Sequence, residues 1–250
     1  MTLRIAMWSG PRNISTAMMR AWENRPDTVV VDEPFYACYL AASGADHPGR
    51  DEVLASQPTD WRTVAASLTG GVPERAAIHY QKHMTHHMLP EFGREWLERV
   101  SNCFLIRAPA EVVASYAETR NAPVLTDLGF VQQLELFDRV ADRLGRAPPV
   151  IDATDVLRNP AGMLAALCAA LGIEFDARML SWPPGRRSTD GVWARHWYAA
   201  VERSTGFSPL RAGSKPVPRA LEHLVETAMP IYECLAAHRL RPIAVGTDRA

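Results

Sequence analysis

The stretch Leu3–Arg20, LRIAMWSGPRNISTAMMR, decides the fold. It begins with a short apolar run that ends at Trp8, which is typical of a strand buried on both faces of a parallel sheet. Gly10 and Pro11 then prevent that strand from continuing. From Ile14 onward the apolar side chains are spaced three and four positions apart, as they are in a helix. The sequence therefore predicts a strand, a tight loop and a helix.

The loop of this predicted unit is suited to an anion. Backbone N–H groups without helical partners and the positive end of the helix dipole both point at the occupant of such a loop. Arg12 adds a positive charge, and Ser15 and Thr16 add hydroxyl donors. A phosphate or sulfate group is therefore the expected occupant. The alternative is an ordinary turn with a capping Asn or Ser, because the loop lacks the Gly-Lys pair of the nucleoside triphosphatase signature.

The composition excludes several classes of protein. The 250-residue chain is 47% hydrophobic and 22% charged, which is ordinary for a globular protein. Its formal net charge of −1 gives no global basic field for nucleic acid or an anionic membrane. The four cysteines form no C-x-x-C pair, which favours reduced, mostly core thiols. With no signal peptide and no run of membrane-spanning length, we expect a cytoplasmic protein whose anion site is local.

Two acidic residues follow the second predicted strand, Thr28–Val31, which consists of β-branched residues. Ligands gather at the carboxyl ends of parallel strands, so Asp32 and Glu33 should lie near the loop at Ser9. A carboxylate beside an anion suits a base that removes a proton from an acceptor hydroxyl or amine. The alternative is that an acid caps a helix starting near Phe35. We expect one of the two to cap and the other to react.

A polar stretch, Gln81–His87, follows the third predicted strand, Ala76–Tyr80. Three interpretations compete. Three of its histidines would bind a metal ion together, but no Cys or carboxylate ligand accompanies them. The stretch would otherwise be a solvated turn. In the interpretation that we favour, Lys82 and one histidine reach the transferred group at a third strand end.

The fourth predicted strand, Asn102–Ile106, ends at Arg107 and precedes a helix over Pro109–Glu118. Ser115 lies on the second turn of that helix, eight positions after Arg107. A short fifth strand is predicted at Val150–Ile151. This arrangement places an arginine and a serine hydroxyl close together at a further strand end.

Helical patterns recur along the rest of the chain. The predicted helices are 129–144, 161–171, 192–201 and 221–238, the last bent or stopped near Pro230. Residues 41–57 are predicted to be an irregular surface excursion. No internal repeat or linker divides the chain. The alternation predicts one α/β domain over 1–250, a doubly wound, mostly parallel sheet with helices on both faces, ending in a helical or lid segment of about 182–250.

Taken together, these stretches resemble the sulfotransferase family, enzymes of a P-loop-like fold that use 3′-phosphoadenosine 5′-phosphosulfate. In that family a loop after the first strand, commonly P-K-S-G-T-T, holds the 5′-phosphosulfate. Pro11–Thr16, PRNIST, lies in the same place. The family also pairs an arginine at a strand end with a serine eight positions later around the 3′-phosphate, as Arg107 and Ser115 do. The resemblance runs from about Leu3 to Ile173.

The resemblance implies roles for individual residues. The residues implied to bind the cosubstrate are Ser9, Gly10, Pro11, Arg12, Asn13, Ile14, Ser15, Thr16, Arg107 and Ser115. Glu33 matches members that use a glutamate base after the second strand, whereas His83 matches members that use a histidine on the third. Lys82 would hold oxygens of the transferred group, and Arg12 would neutralise the leaving phosphate. No metal is expected, because a sulfuryl group carries less charge than a γ-phosphoryl group.

The chain departs from the family pattern at several positions. Arg12 replaces the loop lysine and can bind oxyanions with a bidentate fork. Asn13 and Ile14 replace Ser and Gly, and Ala17 stands where many members have an aromatic residue on the adenine. The tryptophans that would substitute for that aromatic are Trp22, Trp193 and Trp197. Asp190–Trp193 is either a mobile lid over the nucleotide or part of an aromatic-rich packing helix with solvated basic residues.

We therefore hypothesise a sulfotransferase whose partners are a nucleotide cosubstrate and a small-molecule acceptor. Whether the chain forms a homodimer is left open by the sequence. Two alternatives remain. A small-molecule kinase would need a Mg²⁺ carboxylate, for which Asp32 or Asp152 is available. A non-catalytic nucleotide-binding protein would keep the binding residues without turnover.

Overall fold

The computed structural model describes residues 2–72, 76–118, 123–209 and 215–245. Its five strands form a parallel sheet in the order β2-β3-β1-β4-β5. The strands are β1 (Leu3–Ser9), β2 (Thr28–Asp32), β3 (Ile78–Met84), β4 (Ser101–Ile106) and β5 (Val150–Asp152). The predicted α/β class with a parallel sheet is confirmed.

Eleven α-helices lie in the described residues. They are α1 (Ser15–Glu23), α2 (Tyr36–Ser43), α3 (Arg50–Ser56), α4 (Trp61–Thr69), α5 (Pro109–Ala117), α6 (Phe130–Leu144), α7 (Ala153–Arg158), α8 (Pro160–Ala170), α9 (Ala194–Trp197), α10 (Ala199–Glu202) and α11 (Glu222–Ala236). Short 3₁₀ turns occur at Thr85–His87, Glu95–Arg99, Leu125–Leu128, Ala177–Leu180 and Arg219–Leu221.

Hydrophobic cores lie on both faces of the sheet because successive side chains of β1 point to opposite sides. Met7 belongs to a core that includes Met18 of α1 and Leu164 of α8. Trp8 belongs to a second core that includes Phe137 of α6. Both Met7 and Trp8 are fully buried. The first strand is therefore buried on both faces, as its apolar run predicts.

The position of β1 fixes where a ligand can bind. It pairs with β3 on one side and with β4 on the other. The chain leaves β1 toward the β2 edge and later crosses to β4, so the strand order reverses next to β1. In open α/β sheets, the crevice at such a reversal, beyond the carboxyl ends of the strands, is where ligands bind.

The third strand is longer than predicted. β3 runs from Ile78 to Met84, so the expectation that it ends at Tyr80 is wrong. Lys82 and His83 are consequently strand residues, and neighbouring strand residues face opposite sides of the sheet. The polar turn begins only at Thr85–His87. This difference decides which of the two side chains can reach the crevice.

Three helical predictions also need correction. Residues 41–57, predicted to be irregular, include α3. The single helix predicted over 192–201 is two short helices, α9 and α10. Of the two alternatives for the last helix, a stop near Pro230 is wrong, because α11 continues through that residue. Tertiary packing overrides local propensity in such segments.

The composition predicts mostly core thiols and no run of membrane-spanning length. Cys38, Cys103 and Cys168 are buried free thiols, and Cys234 is exposed, so mostly core thiols are confirmed. None of the helices in the described part of the chain has both the length and the apolar character needed to span a membrane.

A buried ion pair ties the C-terminal part of the chain to α1. The guanidinium of Arg20 lies 2.7 Å from the carboxylate of Asp190, and their side chains are 1% and 0% exposed. Trp193 is also buried. Asp190–Trp193 is therefore packed against α1, but it precedes α9 and does not form the packing helix of the second interpretation. The predicted 182–250 segment also includes 210–214 and 246–250, which lie outside the described residues.

Asp190→Ala should lower the free energy of unfolding by about 3 kcal/mol or more, because removing one partner leaves the buried guanidinium of Arg20 poorly compensated. The measurement is urea denaturation followed by circular dichroism. Glu98→Ala is the matched control, since its pair with Arg143 is exposed (51% and 68%) and such pairs contribute less than about 1 kcal/mol. Equal losses in the two variants would contradict this assignment.

Candidate active site

A cavity of about 550 Å³ lies at the carboxyl ends of β1 to β4. Most of the residues predicted for the site line it. These are Pro11, Arg12, Asn13, Ile14, Ser15, Thr16, Glu33, Lys82, Arg107 and Ser115. Ser9, Gly10 and His83 are not among the lining residues. The structure therefore brings the predicted anion loop, the acidic strand end and the Arg107 region into one cavity.

The loop after β1 leaves the N-terminal end of α1 facing the cavity. Arg12 has a φ of 56°, in the left-handed region that a non-glycine residue rarely adopts. The Asn13 side chain fixes the loop, because its Nδ2 donates to the carbonyl of Leu105 at 3.0 Å and its Oδ1 accepts from the Ile14 N–H at 2.9 Å. No side chain of the described residues caps α1 at Ile14. Backbone N–H groups at the start of α1 are thus available to an anion.

Gly10 is needed for the close packing of the loop backbone and does not line the cavity. A Cβ atom at Gly10 would lie 2.6 Å from the carbonyl oxygen of Leu128, which is too close for any other residue without a backbone shift. Ser9 is fully buried at the end of β1. Both residues were predicted to bind the cosubstrate, and the structure places both behind the cavity wall.

The two predicted phosphate-binding regions are directly connected. The Nε of Arg12 donates to the Ser115 hydroxyl at 3.0 Å, and Nη1 of Arg107 donates to the Arg12 carbonyl at 2.6 Å. The Nε of Arg107 donates to Glu111 at 2.8 Å. Burial and the charge of Arg107 lower the pKa of Arg12, with Glu118 and Tyr116 opposing them. Two neighbouring guanidinium groups at a cavity wall favour a polyanionic ligand.

A buried cluster of charges lies on the opposite side of the cavity. Nζ of Lys82 is 2.8 Å from Oδ1 of Asp32, 2.5 Å from Oε1 of Glu33 and 2.7 Å from the hydroxyl of Tyr198. An ammonium group has three N–H donors, so these three partners occupy all of them. The role predicted for Lys82, holding oxygens of the transferred group, is therefore not the one that this geometry favours.

The two carboxylates both belong to this cluster, and neither caps a helix. α2 has Phe35 at its N-cap position, with no side-chain capping bond. The expectation that Asp32 or Glu33 caps this helix is therefore wrong. Glu33 has a φ of 40°, which turns the chain sharply after β2. Like Arg12, it is a non-glycine residue in a rarely populated backbone conformation at the cavity, and such residues concentrate at functional sites.

The protonation states follow from burial and pairing. Burial raises the pKa of Glu33, the nearby charge of Lys82 lowers it, and the charge of Asp32 raises it again. Burial opposes the charged form of Lys82, but Asp32 and Glu33 outweigh it and hold the pKa of the ammonium well above its ordinary value. Lys82 is therefore a permanent cation, and Glu33 is a carboxylate whose pKa lies closer to neutrality than usual.

His83 lies on the other face of the sheet from the cavity. Its ring stacks on Trp8 with centroids 4.3 Å apart, and its Nε2 is 3.2 Å from Oε1 of Gln81. Burial lowers the pKa of His83 to about 3, so the imidazole is neutral at neutral pH. His86 and His87 instead line the cavity. Among the described residues, no group of three or more His, Cys, Asp and Glu side chains is arranged to hold a metal ion.

Sequence reasoning missed Tyr198, which lines the cavity and contacts Lys82. It follows the α9 turn of the C-terminal segment, and no local motif marks it. Of the three tryptophans considered for the adenine, Trp22 and Trp193 are buried, whereas Trp197 lines the cavity. A spacing pattern can indicate a strand end but cannot indicate which distant segment closes over it.

Comparison with sequences gives a family match over almost the whole chain. A family model described as a sulfotransferase domain matches residues 3–239. Branched-chain-amino-acid aminotransferase-like proteins 1 and 2 of Arabidopsis thaliana are 36% and 32% identical over 234 residues, which is 94% of this chain. The match covers 42% and 41% of those proteins, so the chain spans about two fifths of their length.

Comparison with solved structures gives the fold. A sulfotransferase domain from the curacin biosynthetic pathway has a TM-score of 0.53 and 15% identity, covering 92% of this chain and 98% of that one. A sulfotransferase from Alicyclobacillus acidocaldarius has a TM-score of 0.53 and 14% identity, covering 95% of both chains. A sulfotransferase domain from the Synechococcus PCC 7002 olefin synthase has a TM-score of 0.51 and 14% identity, covering 90% and 94%.

Arg12→Ala should weaken binding of adenosine 3′,5′-bisphosphate by well over tenfold, because removing one partner of a desolvated charge pair costs about 2–5 kcal/mol. The melting temperature of the unliganded protein should change little. Isothermal titration calorimetry measures the affinity, with Arg143→Ala as the control because that arginine is exposed on α6 (68%). An unaltered affinity in the Arg12 variant would remove this loop from the binding site.

Proposed function

The chain belongs to the sulfotransferase family, and we propose that it transfers a sulfuryl group from 3′-phosphoadenosine 5′-phosphosulfate to a hydroxyl or amine of a small-molecule acceptor. One observation carries the proposal. A polycationic wall, with Arg12 and Arg107 linked through one backbone carbonyl, faces a carboxylate, Glu33, across a single cavity. Such a cavity can hold a dianionic donor and a proton acceptor at the same time.

The donor would lie along the positive side of the cavity. Arg12, the backbone of Pro11–Thr16 and the N-terminal end of α1 would bind the 5′-phosphosulfate. Arg107 and Ser115 would bind the 3′-phosphate. The groups around the 5′-phosphosulfate would neutralise the negative charge that develops on the leaving 5′-phosphate, and they are in place before the reaction starts. The sulfuryl group carries less charge than a γ-phosphoryl group, so we propose that transfer proceeds without a metal ion.

The acceptor would react at the Glu33 end of the cavity. Its oxygen or nitrogen attacks sulfur in line, its proton passes to Glu33, and the bond between sulfur and the bridging phosphate oxygen breaks. The products are the sulfated acceptor and adenosine 3′,5′-bisphosphate. Lys82 would hold Glu33 in position by its 2.5 Å contact and would not itself touch the sulfuryl group.

The kinase alternative is disfavoured by the carboxylates that it would need. Asp32 accepts hydrogen bonds from Lys82 and Tyr198. Asp152 caps α7 through the Thr154 N–H at 2.7 Å and accepts from Tyr232 at 2.9 Å. Both carboxylates are therefore engaged in protein contacts that a Mg²⁺ ion would have to break.

Glu33→Gln should lower turnover by about 10²–10⁴-fold, because the amide keeps the shape of the side chain but cannot accept the proton. Binding of adenosine 3′,5′-bisphosphate should persist. Release of labelled sulfate from the donor, with water as acceptor, measures turnover without knowledge of the natural acceptor. Glu226→Gln, at an exposed position of α11, is the control. Normal turnover in Glu33→Gln together with loss in His83→Ala would move the base to the histidine.

The pH dependence gives a second test of the same residue. Because the pKa of Glu33 is raised, turnover should fall on the acid side at a higher pH than an ordinary glutamate would give. The base is present above the raised value and is lost as the pH falls through it. A pH profile that stays flat down to the ordinary glutamate range would contradict this role.

Arg107→Ala should erase a preference for the 3′-phosphate. The wild-type protein should bind adenosine 3′,5′-bisphosphate about two orders of magnitude more tightly than ADP, since charge-assisted hydrogen bonds contribute about 1.5–3 kcal/mol each and ~1.4 kcal/mol is tenfold. Calorimetry without Mg²⁺ measures both affinities. Adenosine 5′-phosphate is the control ligand, because Arg107 also supports the loop at Arg12. Equal wild-type affinities for adenosine 3′,5′-bisphosphate and ADP would overturn the donor assignment.

A further inference from the structure

The phenolic hydroxyl of Tyr198 lies at the centre of the buried charge cluster. Its oxygen is 2.9 Å and 2.7 Å from the two carboxylate oxygens of Asp32, and 2.7 Å from Nζ of Lys82. It is also 3.3 Å from Nε1 of Trp193 and 3.5 Å from Oε1 of Glu33. Its ring belongs to a packed core with Trp193, so the hydroxyl is held in place.

The number of hydrogen bonds available to a hydroxyl determines where its proton lies. A phenol donates one hydrogen bond and accepts at most two. Lys82 and Trp193 are donors only, so they use the two lone pairs of the Tyr198 oxygen. The single proton of Tyr198 is then left for a carboxylate. Asp32 is closer than Glu33 by at least half an ångström, at 2.7 and 2.9 Å against 3.5 Å.

The two carboxylates therefore accept different numbers of hydrogen bonds. Asp32 accepts from Lys82, from Tyr198 and from the Gly191 N–H at 3.3 Å. Glu33 accepts from Lys82 and reaches the cavity. Hydrogen bonds to the charged form of a carboxylate favour that form. Asp32 is consequently the better stabilised anion of the pair.

We propose that Tyr198 is a positioning residue that keeps Asp32 ionised and thereby leaves Glu33 as the carboxylate that gains and loses a proton. The proposal rests on the proposed function, in which Glu33 is the base. Two neighbouring carboxylates that share one cation tend to share a proton as well. Separating their proton affinities gives the two groups different roles. The charge that Asp32 keeps raises the proton affinity of Glu33, so without this separation Glu33 would be protonated over a narrower range of pH.

Other charged groups around the pair do not reverse this asymmetry. Arg20, on α1, is paired with Asp190 and adds positive charge on the Asp32 side. On the Lys82 side, burial lowers the pKa of His83 and of His87, so both imidazoles are neutral near pH 7. Tyr198 itself remains protonated, because burial raises its pKa well above the ordinary value.

Carbon-13 NMR of protein labelled at the Asp and Glu carboxyl carbons tests the proposal directly, with Asp32→Asn and Glu33→Gln used for assignment. In Tyr198→Phe, the Glu33 carboxyl should titrate at a lower pH than in the wild type, because a less stabilised Asp32 anion raises the proton affinity of Glu33 less. An unmoved Glu33 titration in the variant, or a wild-type Glu33 that titrates no higher than an ordinary glutamate, would overturn the proposal.

Tyr36→Phe is the matched control. It removes another phenolic hydroxyl at the cavity, one that bonds to Nδ1 of His47 at 2.8 Å, and it should leave the Glu33 titration unchanged. A general loosening of the cavity would move Glu33 in both variants. If Tyr198→Phe does not fold, Asp32→Asn decides the question, because loss of the Asp32 charge should move the Glu33 titration to lower pH.

A kinetic measurement separates this proposal from the proposed function. In Tyr198→Phe, the acid limb of sulfate release should move to lower pH, because a weakened Asp32 anion raises the proton affinity of Glu33 less, while the affinity for adenosine 3′,5′-bisphosphate stays the same. If Glu33→Gln turns over normally but the NMR titration of Glu33 shows the expected shift, the assignment of Glu33 as the base fails and the role of Tyr198 stands. If the titration is unchanged in Tyr198→Phe but Glu33→Gln is inactive, the role of Tyr198 fails and the assignment of Glu33 as the base stands.

Discussion

The ammonium group of Lys82 holds the acidic side of the cavity together. In the parallel pairing of β2 with β3, Asp32 is in register with Lys82, and the Glu33 N–H continues the ladder by donating to the Lys82 carbonyl at 2.9 Å. Two carboxylates cannot stay ionised in a desolvated site without a cation between them. The sharp turn at Glu33, with its φ of 40°, therefore depends on a lysine that the neighbouring strand supplies.

The charges in the cavity are divided between its two sides. The β1 and β4 side presents Arg12 and Arg107, whereas the β2 and β3 side presents Asp32 and Glu33 around Lys82. The positive side has more cationic than anionic groups facing the loop and attracts a polyanion. The other side has one more carboxylate than ammonium and can take up a proton. A reaction that moves an anionic group and releases a proton needs both properties within one cavity.

The fold and the positive side of the site follow from local patterns. The apolar run before Trp8, the breakers at Gly10 and Pro11 and the spacing of Arg107 and Ser115 are all local features, and the structure places Arg12, Arg107 and Ser115 together. The side of the sheet on which His83 lies could not be predicted in the same way. The third strand is predicted to end four residues too early, so Lys82 and His83 are not recognised as neighbouring strand residues that face opposite sides. The position of Tyr198 depends on packing between segments 166 residues apart, which no spacing rule records.

The C-terminal segment connects the two sides of the cavity through buried polar contacts. Arg20 belongs to α1, the helix whose start faces the cavity, and it pairs with Asp190. The next residue, Gly191, donates its N–H to Asp32 at 3.3 Å. Movement of this segment away from the cavity would expose the Arg20 guanidinium and remove a donor from Asp32 at once. Asp190 and Gly191 therefore link α1 to the acidic pair through two adjacent contacts.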